Sequence, residues 1–204
     1  MTDRDVERPR TATRILDVAE RLVQVRGFNG FSYADVATEL KITRAALHYH
    51  FASKTELGEA LIERYSGRFG EALDAVEVRT EDAPMRLRAY AGLYLEVLRD
   101  HRMCLCGMMA ADYETLPSSM QAAVLRYIRE NQLWLSRVLS QGRELGTLEF
   151  DGAPSEVASM IFGALEGAML IARPFGDIAG FESSAARLLA SLSPLSRTSA
   201  RSKN

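Results

Sequence analysis

The chain has 204 residues and is 47% hydrophobic, enough to bury a real core in one or two domains. Its 25 basic and 27 acidic side chains leave a net charge of -2, so any basic surface for a nucleic acid must be local. No apolar run approaches the roughly 20 residues of a membrane-spanning helix. The first ten residues alternate charge without the apolar stretch of a secretion signal, and Cys104 and Cys106 are too few for a disulfide framework. A cytoplasmic protein with no membrane partner is expected.

The pattern is helical nearly throughout, with Leu148 to Phe150 the only faint strand candidate. Ile15, Leu16, Ala19, Leu22 and Val23 share one helical face, and Gly27 ends that helix. Ser32-Tyr33-Ala34-Asp35 reads as a capping box opening a second helix with Val36, Ala37 and Leu40 inside. Lys41-Ile42 breaks it, and Thr43 caps a third helix to about Phe51. A second capping box, Ser53-Lys54-Thr55-Glu56, opens a long helix carrying Leu57, Leu61, Tyr65, Phe69 and Leu73.

After a polar break at Arg79 to Ala83, Pro84 starts a helix with Leu87, Ala91, Tyr94, Leu95 and Leu98 inside. A short helix from about Cys104 to Tyr113 is interrupted at Leu116-Pro117. A long one then runs to Gly146. Pro154 opens a helix rich in small residues that Pro174 and Gly176 end, and a last helix runs from about Ile178 to Leu192. The Ser-rich remainder, 193–204, has three basic residues and no acid, and reads as a disordered tail. The chain is thus read as all-α: a three-helix DNA-binding domain (1–55) and a long helix leading into a helical effector-binding and dimerisation domain (56–192).

Tyr33 to Phe51 has helix-turn-helix proportions, which put the N-terminal end of the second helix into the major groove. Thr43 can cap that helix and donate to a phosphate. Arg44 can bond guanine bidentately or a phosphate. Ala45 and Ala46 allow close approach, and His48, Tyr49 and His50 add polar reach. Leu47 and Phe51, four apart, turn inward. Lys54 stands at a new helix N-terminus, where backbone amides also favour a phosphate. Such geometry also occurs in ordinary helical proteins, where the two histidines are exposed polar residues and Tyr49 is packing.

The run Thr43-Arg44-Ala45-Ala46-Leu47-His48-Tyr49-His50-Phe51-Ala52-Ser53-Lys54-Thr55-Glu56-Leu57 resembles the signature of the TetR family of repressors. Ile15 to Gly27 and Gly30 to Ala37 resemble that family's first two helices. Lys41-Ile42 departs from its common glycine-containing turn. The resemblance implies a ligand-responsive regulator, in most members a repressor, that binds a palindromic operator in double-stranded DNA as a homodimer. By that resemblance Ser32, Tyr33, Thr43, Tyr49, His50 and Lys54 match phosphate-contacting positions, and Arg44, Ala45, Ala46 and His48 match base-facing ones. The helix from Ser53 becomes the lever between reading head and sensor.

Leu165-Glu166-Gly167-Ala168-Met169-Leu170 is similar to the dimerisation helix of many members. Gly163 and Gly167, four apart, permit close helix packing, either with a two-fold mate or within the chain. Gly163, Glu166, Gly167, Leu170 and Leu188 are the interface candidates, with Phe181, Leu189 and Leu192 beside Leu188 on the last helix. Glu166 can face a pocket or the interface, although an acid in such a place is more often a half-exposed structural residue. A small-molecule effector is expected among Tyr94, Met103, Cys104, Met108, Met109, Tyr113, Tyr127, Trp134 and Phe162, residues that also make a plain core. His101-Arg102-Met103-Cys104 leaves open a thiol-based sensor, although free cysteines in apolar stretches are usually inert. His48/His50 and Cys104/Cys106 sit two apart, which on a helix splays them by about 200°, so no metal site, cofactor or enzyme is expected.

Overall fold

The computed structural model describes residues 3–194, so residues 195–204 of the expected tail lie outside it. Nine α-helices are present among the described residues: α1 (Asp3–Arg26), α2 (Tyr33–Leu40), α3 (Arg44–His50), α4 (Lys54–Arg79), α5 (Ala83–Arg99), α6 (Leu105–Ala111), α7 (Ser118–Glu144), α8 (Pro154–Phe175) and α9 (Ile178–Ala190). A 3-10 turn, Tyr113–Thr115, lies between α6 and α7. No strand forms among the described residues; the faint candidate at 148–150 makes two backbone bonds, Leu148 N–H to Gly142 O at 3.0 Å and Glu149 N–H to Leu192 O at 2.9 Å. The α1 helix starts well before Ile15, the first residue of the apolar face.

The chain forms two compact units. The first gathers residues 1–72 and 97–130, so α6 and the start of α7 pack with the N-terminal helices. Its core joins Ile15, Leu22 and Val23 of α1 to Leu47, Leu57, Leu61, Leu105 and Met109, all buried. Glu20 of α1, only 7% exposed, is held by two arginines of α4: Arg64 at 2.8 Å and Arg68 at 2.5 Å. Arg64 also reaches Asp17 at 2.8 Å, so α1 and α4 are tied by charge as well as by apolar packing.

The second unit holds residues 73–96 and 131–204. Here α8 packs on α9, burying Val157, Ile161, Leu165 and Met169 of α8 and Phe181 and Ala185 of α9. Gly142 of α7 permits close approach: a Cβ there would lie 2.7 Å from Leu148 Cγ and 2.8 Å from Ala83 Cβ. By length and composition α8 could cross a membrane, with a mean hydropathy of 1.4 over its most apolar window. Ser155, Glu156, Gly163, Glu166 and Gly167 interrupt its apolar run. Its second apolar face accounts for the high mean.

Local chemistry sets the helix ends. Ser32 caps α2 and Asp35 returns a bond to the Ser32 N–H at 2.7 Å, completing the expected box. The box at Ser53 differs by one residue. Ser53 Oγ accepts from Glu56 N–H at 3.1 Å, but Glu56 reaches the N–H of Ala52 at 2.8 Å. Bonds from Ser32 hold the Asp35 carboxyl below its ordinary range. A carboxyl depressed on folding stabilises above its unfolded pKa, near 3.9, and loses that effect as pH falls through its folded value. Amide exchange in α2, measured against α8, is therefore expected to rise selectively below about pH 4, with the selectivity absent in Asp35→Asn.

Candidate nucleic-acid interface

The turn between α2 and α3 is built without glycine. Lys41 adopts the left-handed region (φ 56°, ψ 41°), its N–H donating to Thr38 O at 3.2 Å and that of Ile42 to Ala37 O at 3.0 Å. For a residue with a Cβ this costs roughly 1–2 kcal/mol, offset by the two closed bonds and by burial of Val36 and Ala37 beneath the turn. Thr43 then caps α3, its Oγ1 accepting from Ala46 N–H at 3.1 Å. Leu47 is fully buried and Phe51 nearly so, anchoring α3 from within.

That anchoring turns the rest of α3 outward. Arg44, Ala45 and His48 are exposed, Ala46 and His50 half-buried, and Tyr49 is 64% exposed with its ring edge-on to His50 at 5.3 Å. His48 Nδ1 lies 3.2 Å from Ala52 O, a bond that requires the tautomer protonated at Nδ1. Its ring also rests 4.8 Å from that of Tyr33.

Three expected phosphate contacts have structural duties as well. Ser32 Oγ donates to Asp35 at 2.6 Å. The Tyr33 hydroxyl donates to Phe51 O at 3.0 Å, and burial followed by the Glu56 charge pushes its pKa up to about 12. Lys54 Nζ donates to Phe28 O and Phe31 O, both at 2.6 Å, and lies over both rings at 4.6 and 4.4 Å. Burial lowers its pKa, against the opposing pull of Asp112 and Asp35. An ammonium has three donors, so one N–H remains for a phosphate. Ser32, Tyr33, Arg44, His48 and Lys54 share an open hollow of about 380 Å³, wide enough for a phosphate group.

The expected effector residues fall in both units. In the first, Met103, Cys104, Met109 and Tyr127 are buried, while Met108 and Tyr113 are half-buried. Tyr127 packs on Tyr65 and Phe69 at 5.8 and 5.5 Å. Cys104 Sγ caps α6, accepting from Gly107 N–H at 3.4 Å, and lies 3.7 Å from the Tyr127 hydroxyl. Both cysteines are buried and neither is in a disulfide. In the second unit Tyr94, Trp134 and Phe162 are buried. Tyr90 donates to Asn131 Oδ1 at 3.0 Å and shares a 3.0 Å bond with Tyr94, and its ring stacks on Trp134 at 5.6 Å. An apolar groove of about 380 Å³ in this unit is walled by residues outside the expected set, among them Leu87, Ala91, Leu95, Phe181 and Leu189. Their apolar spacing is visible in the sequence, but the gap between α5 and α9 is not.

On α8, Gly163, Gly167 and Leu170 are exposed and Glu166 is half-buried. A Cβ added at either glycine meets nothing within 4 Å, so these small residues serve no helix contact among the described residues. Met160, Ile171 and Phe175 extend the exposed stripe at helical spacing. On α9, Leu188 and Leu189 are half-buried, whereas Phe181 of α9 and Leu192 just after it, expected at an interface, are buried in the protomer's own core.

Residues 83–188 match the tetracyclin repressor-like C-terminal domain, and residues 15–61 match the bacterial regulatory proteins of the tetR family. The chain belongs to the TetR family. A solved TetR-family regulator from Agrobacterium tumefaciens superposes with a TM-score of 0.89 at 31% identity, covering 92% of this chain and all of that one. One from Legionella pneumophila gives 0.80 at 31%, covering 88% and 95%. The repressor NemR of Escherichia coli K12 is 28% identical over 170 residues, 80% of this chain and 84% of its own. This TetR-family protein is therefore a transcriptional regulator with a DNA-binding helix-turn-helix, and not an enzyme.

Two substitutions separate reading from scaffolding in this regulator. Arg44→Ala is expected to cost about 1–3 kcal/mol of DNA affinity and relax base preference, with the melting temperature unchanged. Lys54→Met is expected to weaken binding to all sequences and to destabilise the fold by about 2 kcal/mol, because two buried carbonyls lose their donor. Binding isotherms on selected DNA and urea melts of both variants check the pair.

Proposed function

We propose that this regulator binds a palindromic operator as a homodimer, represses transcription in the cytoplasm, and is released by a small organic effector. The observation that carries the reading is the outward face of α3: Arg44, Ala45, His48 and Tyr49 are exposed on a helix anchored by Leu47. Phosphates fit the flanks, with Thr43, Tyr49, His50 and the remaining Lys54 N–H as donors and Ser32 and Tyr33 beside them. Kinship with NemR and with the DhaR repressor of Mycobacterium sp. GP1, 24% identical over 149 residues, supports repression as the sign of control.

Dimerisation rests on the α8 stripe. Leu170, Ile171 and Phe175 are 60, 66 and 82% exposed, an apolar cost for a lone protomer that a two-fold mate removes. Gly163 and Gly167 let the mates approach, with Glu166 and Leu188 at the margin of the contact. A dimer requires two-fold related half-sites.

Effector binding is supported by a polar group left over inside the second unit. Trp134 is 4% exposed and its indole N–H has no acceptor, beside Tyr90, Tyr94 and Asn131. A buried donor without a partner costs about 1–3 kcal/mol, which a ligand bearing a carbonyl or similar oxygen removes. The Met and aromatic layer of the first unit, with Met103, Met108, Met109, Tyr113 and Tyr127, suits a weakly polar organic molecule, as does Phe162 in the second. Burial of Cys104 and Cys106 favours reversible binding over thiol chemistry.

The deciding experiment selects bound sequences from random DNA and footprints the best of them. A dyad-symmetric footprint is expected, and protection without a dyad overturns the dimeric reading. Gly167→Leu, whose Cβ meets nothing within 4 Å among the described residues, is expected to keep the protomer's melting temperature. It shifts sedimentation from dimer to monomer and weakens operator binding at least about tenfold.

A further inference from the structure

The turn between α1 and α2 is gripped from two sides, and only one grip comes from α4. On that side Lys54 holds the carbonyls of Phe28 and Phe31. Between these two residues Asn29 is exposed and faces the end of α6. Its backbone N–H donates to Asp112 Oδ2 at 3.2 Å, and its side-chain amide donates to Thr115 Oγ1 at 2.7 Å. The Thr115 hydroxyl donates in turn to Asp112 O at 2.7 Å, so its single proton is already placed and its oxygen is left to accept. The Asp112 carboxylate lies so close to the turn that a Cβ on Gly27, itself at φ +81°, would sit 3.0 Å from Oδ2. It also attracts the Lys54 ammonium across the same turn. Before α6, Met103 N–H donates to Gln24 O at 3.2 Å, so residues on the two sides of α6 fasten to the end of α1 and to the turn that follows it.

We propose that Asp112 and Thr115 are positioning residues for DNA binding, which hold the α1–α2 turn through Asn29 and so set the pose of α2 and α3. The inference rests on the DNA-binding reading above. Only six residues, 27–32, lie between α1 and α2, and Ser32 at their end is the cap of α2. A shift of the turn therefore passes into α2, and through the tight Lys41 turn into Arg44 and its neighbours. The α6 segment that supplies the latch is capped at its other end by Cys104, against Tyr127. Motion in that sulfur and aromatic layer then has a direct route to the reading head, separate from the route along α4. Thr115, fully engaged, is the pivot of the latch, and Asp112 is its charged half.

The test uses the full-length protein with DNA from the selection described above. Asn29→Ala and Asp112→Ala are each expected to weaken binding about fivefold, the scale of one or two partly exposed hydrogen bonds. The double variant is expected to be no weaker than the stronger single one, since both break the same latch. Asp112→Asn, whose amide oxygen still accepts from Asn29 N–H, recovers part of the loss. Amide exchange on the free protein provides a readout that a general loss of stability does not mimic. Residues 28–50 are expected to exchange faster in Asp112→Ala, while α8 and α9 stay at wild-type rates. Unchanged or tighter DNA binding in both single variants overturns the proposal. So does exchange that rises throughout the chain, or additive losses in the double variant. A wild-type protein that binds none of the selected DNA overturns the DNA-binding reading instead, and the exchange measurement still judges the latch.

Discussion

The reading head depends on one ammonium group. Helices α2 and α3 are too short to stand alone, since an isolated helix needs about 12–15 residues to be even marginally stable. Their pose must be fixed by the turn that leads into them. That turn carries two buried aromatic residues, Phe28 and Phe31, whose carbonyls face inward and need donors. Lys54 supplies both bonds from the first turn of α4, and its charge is softened by the two rings and by Asp112. A neutral side-chain amide has two N–H donors and would spend both on these carbonyls; an ammonium, with three, satisfies both and keeps one to spare. The same side chain thus belongs to the scaffold and to the hollow it shares with Arg44 and His48, which couples the shape of the head to its charge.

Much of this was legible in the sequence because helix ends are written locally. Ser32 with Asp35, Thr43, Pro154 and Gly176 each act within four residues of themselves, and each stands where its chemistry placed it. Leu47 and Phe51 turned inward as their spacing required. Periodicity could not say which apolar face would be covered by the chain itself. Phe181 and Leu192 looked like interface residues and are core, whereas Met160, Ile171 and Phe175 lie bare on α8. The partners of Lys54 were invisible for a related reason. They are backbone carbonyls 23 and 26 residues away, and no side-chain pattern announces a carbonyl. The link from Asn29 to Asp112 and Thr115 spans more than 80 residues and was equally silent.

Lys41 shows how a departure from the familiar pattern is absorbed. Its left-handed backbone was the uncomfortable element of the sequence, and the structure keeps it. Two turn bonds and the buried pair beneath them hold the geometry without glycine. The side chain gained by giving up glycine is an exposed cation next to the capping residue of α3. A local strain is thereby exchanged for an exposed positive charge at the turn before α3.

The paired charges between α1 and α4 bear on how the protein leaves DNA. Glu20 and Arg64 are shielded from solvent, with side-chain exposures of 10 and 20%, and dissolved ions screen buried pairs weakly. Phosphate contacts are the opposite: each one made releases condensed counterions and is lost steeply as ionic strength rises. Added salt therefore strips this regulator from its DNA long before it loosens the helices that present α3. The protein that comes off is already folded for its next encounter, so rebinding is governed by diffusion and ionic atmosphere, with no refolding step in the way.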